Sequence, residues 1–257
     1  MPGARFGATL RPTPSCPGDL APILSCMKAR TAWPSISASS PMHRGRDPIE
    51  PGASPMNTSA DALTFYTHPM SRGRTARWML EECGVPYDTV LLEYGTTMKA
   101  PDYLAINPMG KVPALRHGQA VVTEVAAICA YLADLFPDKS LAPAVGTPAR
   151  AAYYRWLFFC AGPLESAATA KALNLLAPAE RAAMVGYGSY ADVMNTLEQA
   201  VSQGPYLCGD HFTAVDLYVG AHLIWGMQFG TIERRPAFER YAQPFMQRPA
   251  FVRAAQI

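Results

Sequence analysis

Beyond residue 60 the residue pattern changes character once, near residue 140, and this change restricts the fold more than any other feature. Between residues 61 and 136 short β-type runs alternate with helical ones. Leu63–Thr67 reads as a strand, punctuated by Pro69 and Gly73. From Arg74 the apolar residues Ala76, Met79, Leu80 and Cys83 follow the i, i+3, i+4, i+7 rule of an amphipathic helix, closed by Gly84 with Pro86 beyond. Tyr87–Tyr94 is rich in β-formers and reads as a second strand. A long polar connection leads to a hairpin, Val112–Arg116 and Ala120–Thr123, turned through His117-Gly118-Gln119. A helix with Ile128, Tyr131, Leu132 and Leu135 on its apolar face runs to Pro137. The order is β-α-β and then β-β-α, a small α/β domain over residues 61–142.

After the linker "PDKSLAPAVGT" strand signals almost vanish. Helical stretches are expected at about 148–176, 178–203, 214–228 and 235–255, making an all-helical domain over 147–257. In "HFTAVDLYV" Thr213 stands at N-cap and Asp216 at N3, the spacing of a capping box. Phe212 at N′ and Leu217 at N4 would form a hydrophobic staple.

Residues 1–60 are different again. They hold ten of the chain's 24 prolines, six of its Arg and Lys and three of its Asp and Glu, with no surviving apolar period. The segment reads as a disordered extension, or as sequence upstream of a natural start at Met56. Its prolines argue against the amphipathic helix of a transit peptide, and "LAPILSCM" is too short and broken for a signal peptide. The chain's net charge of +2 is unevenly placed, positive in this segment and about −1 in the rest, so the rest carries no electrostatic footprint for nucleic acid. No run approaches the ~18 apolar residues of a membrane span. The six cysteines have no C-x-x-C pair and no histidines at metal spacing, which points to free thiols in a reducing compartment and to no metal.

The order of elements and four motifs resemble the soluble glutathione S-transferase family. "NPMGKVPAL" (107–115) resembles the family segment that ends in a cis-proline, here Pro113. "TEVAAICAYL" (123–132) is similar to the family's E-S-x-A-I-x-x-Y-L helix start, with Glu124 eleven residues after Pro113. The capping box at Thr213 recurs in the family's second domain, and "FYTHPMSRGRTARWML" (65–80) holds the place of its first strand, active-site loop and first helix. The resemblance covers residues 61–257 and implies a thioredoxin-like domain followed by a helical bundle.

It also implies a function: activation of the thiol of glutathione, the co-substrate, and its transfer to an apolar electrophile by a cytoplasmic homodimer. A binding protein that keeps the fold, or a glutathione-dependent isomerase, dehalogenase or peroxidase, would share the framework, because fold does not fix chemistry. Within the resemblance a cis-Pro113 frees the backbone of Val112 to pair with the cysteinyl unit. Glu124 faces the γ-glutamyl ammonium, the N–H of Val125 holds the γ-glutamyl carboxylate at a helix start, and Lys111 meets the glycyl carboxylate. The family usually has Ser where this chain has Val125, so a hydroxyl contact is lost and weaker glutathione affinity is expected. The tyrosine-type position is occupied by His68. The serine-type position, five residues after Tyr66, is Ser71, and the same hydroxyl is a candidate helix cap. Ser71 is thus the expected activator. Tyr66 is assigned to the core. The aromatic run Tyr153, Tyr154, Trp156, Phe158 and Phe159 is expected to give one or two residues to an electrophile pocket.

Overall fold

The computed structural model describes residues 62–256. The expectations for residues 1–60, and for the thiols of Cys16 and Cys26, fall outside the described residues.

Four strands form one mixed sheet, β1 (Leu63–Thr67), β2 (Asp88–Leu91), β3 (Ala114–His117) and β4 (Ala120–Thr123), in the order β2-β1-β3-β4. β1 runs parallel to β2, with Phe65 opposite Thr89, and antiparallel to β3, with Phe65 opposite Leu115. The parallel pair needs a crossover, supplied by helix α1 (Gly73–Cys83). Gly84 at φ 65° ends α1 as its pattern requires. β3 starts two residues later than the sequence suggests, because Pro113 has no N–H to give to the ladder. His117 pairs with Ala120, so the hairpin turn is the two residues Gly118-Gln119, with Gly118 at φ 55°. The connection from β2 carries a 3₁₀ turn (Thr97–Lys99) and one short α-helix, α2 (Pro101–Leu104). Helix α3 (Val125–Leu135) follows β4.

The second half is helical, in shorter pieces than periodicity implies. The first stretch divides into α4 (Pro148–Phe159), a π-helical turn (Cys160–Leu164) containing Pro163, and α5 (Glu165–Ala172). The expected 178–203 helix is a 3₁₀ segment (Ala179–Met184) and then α6 (Tyr190–Val201). Gly188 at φ 64° breaks the run, and Ser189 restarts it by accepting the Asp192 N–H at 3.1 Å. The C-terminal stretch is interrupted at Pro244 and Pro249, giving α8 (Pro236–Ala242) and α9 (Pro249–Ala254) on either side of a 3₁₀ turn. Between α6 and α8 lies α7 (Ala214–Phe229), the axis of this half.

The Thr213 capping box forms as its spacing predicts. Asp216, fully buried, accepts from the Thr213 N–H at 2.8 Å and from its hydroxyl at 2.9 Å. Its other oxygen accepts from the Leu207 N–H at 2.8 Å and the Tyr241 hydroxyl at 2.7 Å. Phe212 and Leu217 are both core residues. The Phe212 ring also meets Phe245 and Trp78, with the Arg248 guanidinium 3.7 Å from its centroid.

One hydrophobic core runs through both halves. It is built where α1 meets α3, α7 and α9. Trp78 of α1 packs edge-on to Phe251 of α9, and the Arg248 fork closes on Glu82 at 2.6 and 2.8 Å. A smaller cluster of Tyr66, Leu92, Met98, Tyr103 and Ala114 lies on the other side of the sheet. Cys83, Cys129 and Cys160 are free and buried, and Cys208 is half-buried and free. No helix among the described residues is long and apolar enough to cross a membrane.

Candidate functional site

A cleft of about 800 Å³ opens where the two halves meet, and all six residues expected from the sequence line it: Ser71, Lys111, Val112, Pro113, Glu124 and Val125. Each reaches it from the end of an element. Ser71 lies in the turn from β1 into α1. Its hydroxyl donates to the His68 carbonyl at 2.7 Å and accepts from the Gly73 N–H at 3.0 Å. Helix α1 starts so close to β1 that a Cβ on Gly73 would lie 2.0 Å from Thr67 Oγ1 and 2.9 Å from Ser71 Oγ. Only glycine allows this approach. Ser71 is thus a partner of the helix start and a hydroxyl on the cleft wall at once.

Lys111, Val112 and Pro113 form the edge beside β3. The Val112–Pro113 peptide bond is cis. The turn before it is held by three side chains. Tyr103 donates to the Lys111 carbonyl at 2.6 Å, Asn107 donates to the same oxygen at 2.8 Å, and Lys99 donates to the Met109 carbonyl at 2.8 Å. The N–H and C=O of Val112 have no partner among the described residues, although an unpaired backbone group is costly away from water. The edge is open to an extended ligand. Lys111 is exposed.

Glu124 stands at the N-cap of α3 with φ 65° and ψ 124°, a conformation that side chains rarely adopt. Its carboxylate has no partner among the described residues and is exposed at the cleft. Val125 follows as the first residue of α3. Its side chain turns into the core at 7% exposure, while its N–H is one of the unpaired donors of a helix start. Tyr66 packs against Tyr103 in the smaller core cluster and does not line the cleft.

The helical wall differs from expectation. None of the Tyr153–Phe159 aromatics lines the cleft. Tyr153 and Trp156 are buried in the core, while Tyr154 and Phe158 point outward. The wall is made instead by α7, with Tyr218, Ala221, His222, Trp225, Gly226 and Phe229, and by Ala161, Glu165 and Ala168. Tyr218, His222, Trp225 and Phe229 fall at i, i+4, i+7 and i+11, one face of a helix, so the periodicity of α7 held the signal. The Arg74 guanidinium sits 5.3 Å from the Trp225 ring centroid, bridging the two walls.

A chain of charges also crosses the cleft. Arg72 donates from Nε to Glu165 at 3.0 Å, and His222 Nε2 lies 3.1 Å from the same carboxylate. His222 Nδ1 lies 3.0 Å from the Tyr218 carbonyl and 3.3 Å from Cys160 Sγ. Burial by itself would raise the Glu165 pKa, but His222 and Arg72 outweigh it and hold the carboxyl below its ordinary range. Burial by itself would lower the His222 pKa, but the Cys160 sulfur and the Glu165 carboxylate reverse that and keep the ring protonated upward of its ordinary range.

The comparisons with known proteins agree with this architecture. The family model described as "Glutathione S-transferase, N-terminal domain" matches residues 70–135. A Xanthomonas campestris protein named glutathione S-transferase GST-4.5 is 31% identical over 176 residues, covering 65% of this chain and 84% of that protein. Glutathione S-transferase 3 of Zea mays is 28% identical over 203 residues, 74% of this chain and 91% of that protein. A solved glutathione transferase from Methylococcus capsulatus superposes with a TM-score of 0.64 at 28% identity, over 76% of this chain and 98% of that one. A sphingomonad glutathione S-transferase complexed with glutathione gives a TM-score of 0.62 at 28% identity, over 75% and 97%. With the fold, the cleft and a relative matched over most of its own length, the chain belongs to the glutathione S-transferase family.

Proposed function

We propose that this family member is a serine-type glutathione transferase that holds glutathione on residues 61–142 and admits an apolar electrophile from the side of residues 147–257. The observation that carries the reading is the convergence of six residues, 54 positions apart in sequence from first to last, on one cleft between the halves. The open backbone of Val112 suits pairing with the cysteinyl unit as an added strand. Glu124 suits an ammonium, the Val125 N–H a carboxylate, and Lys111 the carboxylate at the far end of the tripeptide. Trp225, Phe229 and Ile232 give the remaining space an apolar lining suited to the second substrate. In the cell we place the protein in the cytoplasm as a homodimer.

The chemistry required is removal of a thiol proton. A free thiol has a pKa of about 8.5, and a hydroxyl that donates to sulfur favours the thiolate. The Ser71 hydroxyl proton, directed at the His68 carbonyl, reaches sulfur by rotation about the Cβ–Oγ bond. Its lone pair stays with Gly73 N–H, which polarises the hydroxyl in the right sense. Ultraviolet titration of the bound thiolate tests this. The native protein is expected to lower the thiol pKa of glutathione. Ser71→Ala is expected to return it to the free value and to cost about a hundredfold in kcat, the scale of losing one preorganised donor. Equal titrations of the two proteins would remove Ser71 from the role.

A further inference from the structure

Among the charged groups of the cleft, Glu165 and His222 have no place in glutathione binding or in thiol activation as described, yet they are the most tightly held. Their placement comes from the π-helical turn. At about 100° per residue an α-helix sets residues five apart roughly 140° round its axis. The wider turn is closed by the Glu165 N–H on the Cys160 carbonyl, and it brings Cys160 and Glu165 to the same side, facing His222. Such turns recur at functional sites.

Every group facing the imidazole is an acceptor or neutral. Glu165 of α5 meets Nε2, the Tyr218 carbonyl of α7 meets Nδ1, and the Cys160 sulfur stands beside Nδ1. The Tyr218 ring closes edge-on at 4.8 Å. A ring with a carboxylate at one nitrogen and a carbonyl at the other is satisfied in full only as the imidazolium, which donates twice. Side-chain exposure then falls in order along the chain, from 55% at Arg72 to 30% at Glu165 and 8% at His222. The buried cation fixes the carboxylate, and the carboxylate grips the fork of an exposed arginine. That arginine is the residue between Ser71 and Gly73.

We propose that Glu165 and His222 are positioning residues that act through Arg72 to hold the Ser71 loop in its working geometry. The helical half thereby sets the orientation of a hydroxyl in the other half. The proposal rests on the assignment of Ser71 made above, and its test has one arm that needs no glutathione.

In the full-length protein without ligand, hydrogen exchange of the 71–77 peptide is followed by mass spectrometry. Glu165→Ala and His222→Gln are expected to speed exchange there about tenfold, with the α6 peptide unchanged. With glutathione and 1-chloro-2,4-dinitrobenzene, both variants are expected to lose about tenfold in kcat, with the KM for glutathione held within about twofold, since misplacement acts on the reacting geometry. Their kcat–pH profile moves to higher pH. Arg72→Ala, at an exposed side chain, gives the same loss even where a helical variant fails to fold. Arg72→Lys recovers part of it. Adding Glu165→Ala to Arg72→Ala costs nothing more, because both break one link. Unchanged exchange at the loop in Glu165→Ala, or fully additive kinetic losses, overturns the proposal. A native protein that lowers no thiol pKa overturns the Ser71 assignment instead, and the exchange arm still decides whether Glu165 holds the loop.

Discussion

Val125 shows what a single residue can trade. Its side chain is a core residue at the head of α3, and its backbone faces the cleft. In the proposed site a Ser at this position adds a hydroxyl to a ligand carboxylate. A hydrogen bond to a charged group is worth about 1.5–3 kcal/mol. Removing the two methyl groups from the core costs about 1–2 kcal/mol of folding stability. The two effects fall on different measurements. Val125→Ser is expected to tighten glutathione binding about tenfold in calorimetry while lowering the melting temperature. A melting loss with no gain in affinity would mean that the γ-glutamyl carboxylate does not lie at this helix start. Glu124, one residue earlier, has the opposite character: it contributes little to the core and adopts a conformation that side chains avoid. A strained residue with an unpaired carboxylate at a cleft is more readily explained by a ligand than by folding.

Among the elements, α7 bears the most responsibility, since its N-terminus anchors the helical half and its face forms a cleft wall. Asp216 is the anchor. The capping spacing makes the Thr213 contacts legible in the sequence. The Leu207 N–H and Tyr241 hydroxyl come from distant segments, and no local pattern signals them. Burial raises the Asp216 pKa, with the four hydrogen bonds opposing it. Asp216→Ala leaves several buried donors unmet, so a loss of about 3 kcal/mol or more is expected. In a protein of this size that corresponds to a melting temperature lower by about 6–12 °C. Because the cap lies away from the Ser71 loop, the thiol pKa of bound glutathione should not move in the fraction that stays folded. Calorimetry and the thiolate titration read the two quantities separately. A loss near the ~1 kcal/mol of a simple cap would show that the two distant contacts add nothing.

At the scale of the whole molecule, the α/β half was legible almost element by element, because its strands and helices are short and bounded by Gly and Pro. The helical half was legible as a class but not in its breaks. The π turn follows from Pro163 inside an otherwise unbroken helical pattern, and periodicity reads straight through it. The S-x-x-D cap at Ser189 was present in the sequence and marks the start of α6. The six residues proposed to hold glutathione were reached through motifs within one half and the resemblance those motifs carry. The Arg72–Glu165–His222 link was not, because its two contacts join positions 93 and 57 apart, the first across the halves and the second between two helices of the helical half.

That link couples the union of the halves to pH, and the sign follows from the direction of each shift. The folded imidazole of His222 keeps its proton to higher pH than the unfolded one, up to about 10. Its contribution is fully present below the unfolded value of about 6.5 and is lost as pH rises through the folded value. Glu165 has the reverse sense. Its contribution is present above the ordinary carboxyl value and is lost as pH falls through its lowered folded value. Above about pH 8.5 the buried thiols intervene, since an unfolded thiol ionises there while burial pushes that of Cys83 up to about 12. The His222 contribution is therefore read as the difference between the native protein and His222→Gln, over about pH 6.5 to 8.5. Within that range, denaturant titrations of the native protein are expected to lose about 1 kcal/mol per pH unit, the slope of one proton released on unfolding. His222→Gln is expected to start less stable and to stay nearly flat. Parallel slopes in the two proteins would place the proton elsewhere and leave His222 a neutral ring, unable to donate to Glu165 and the Tyr218 carbonyl at once.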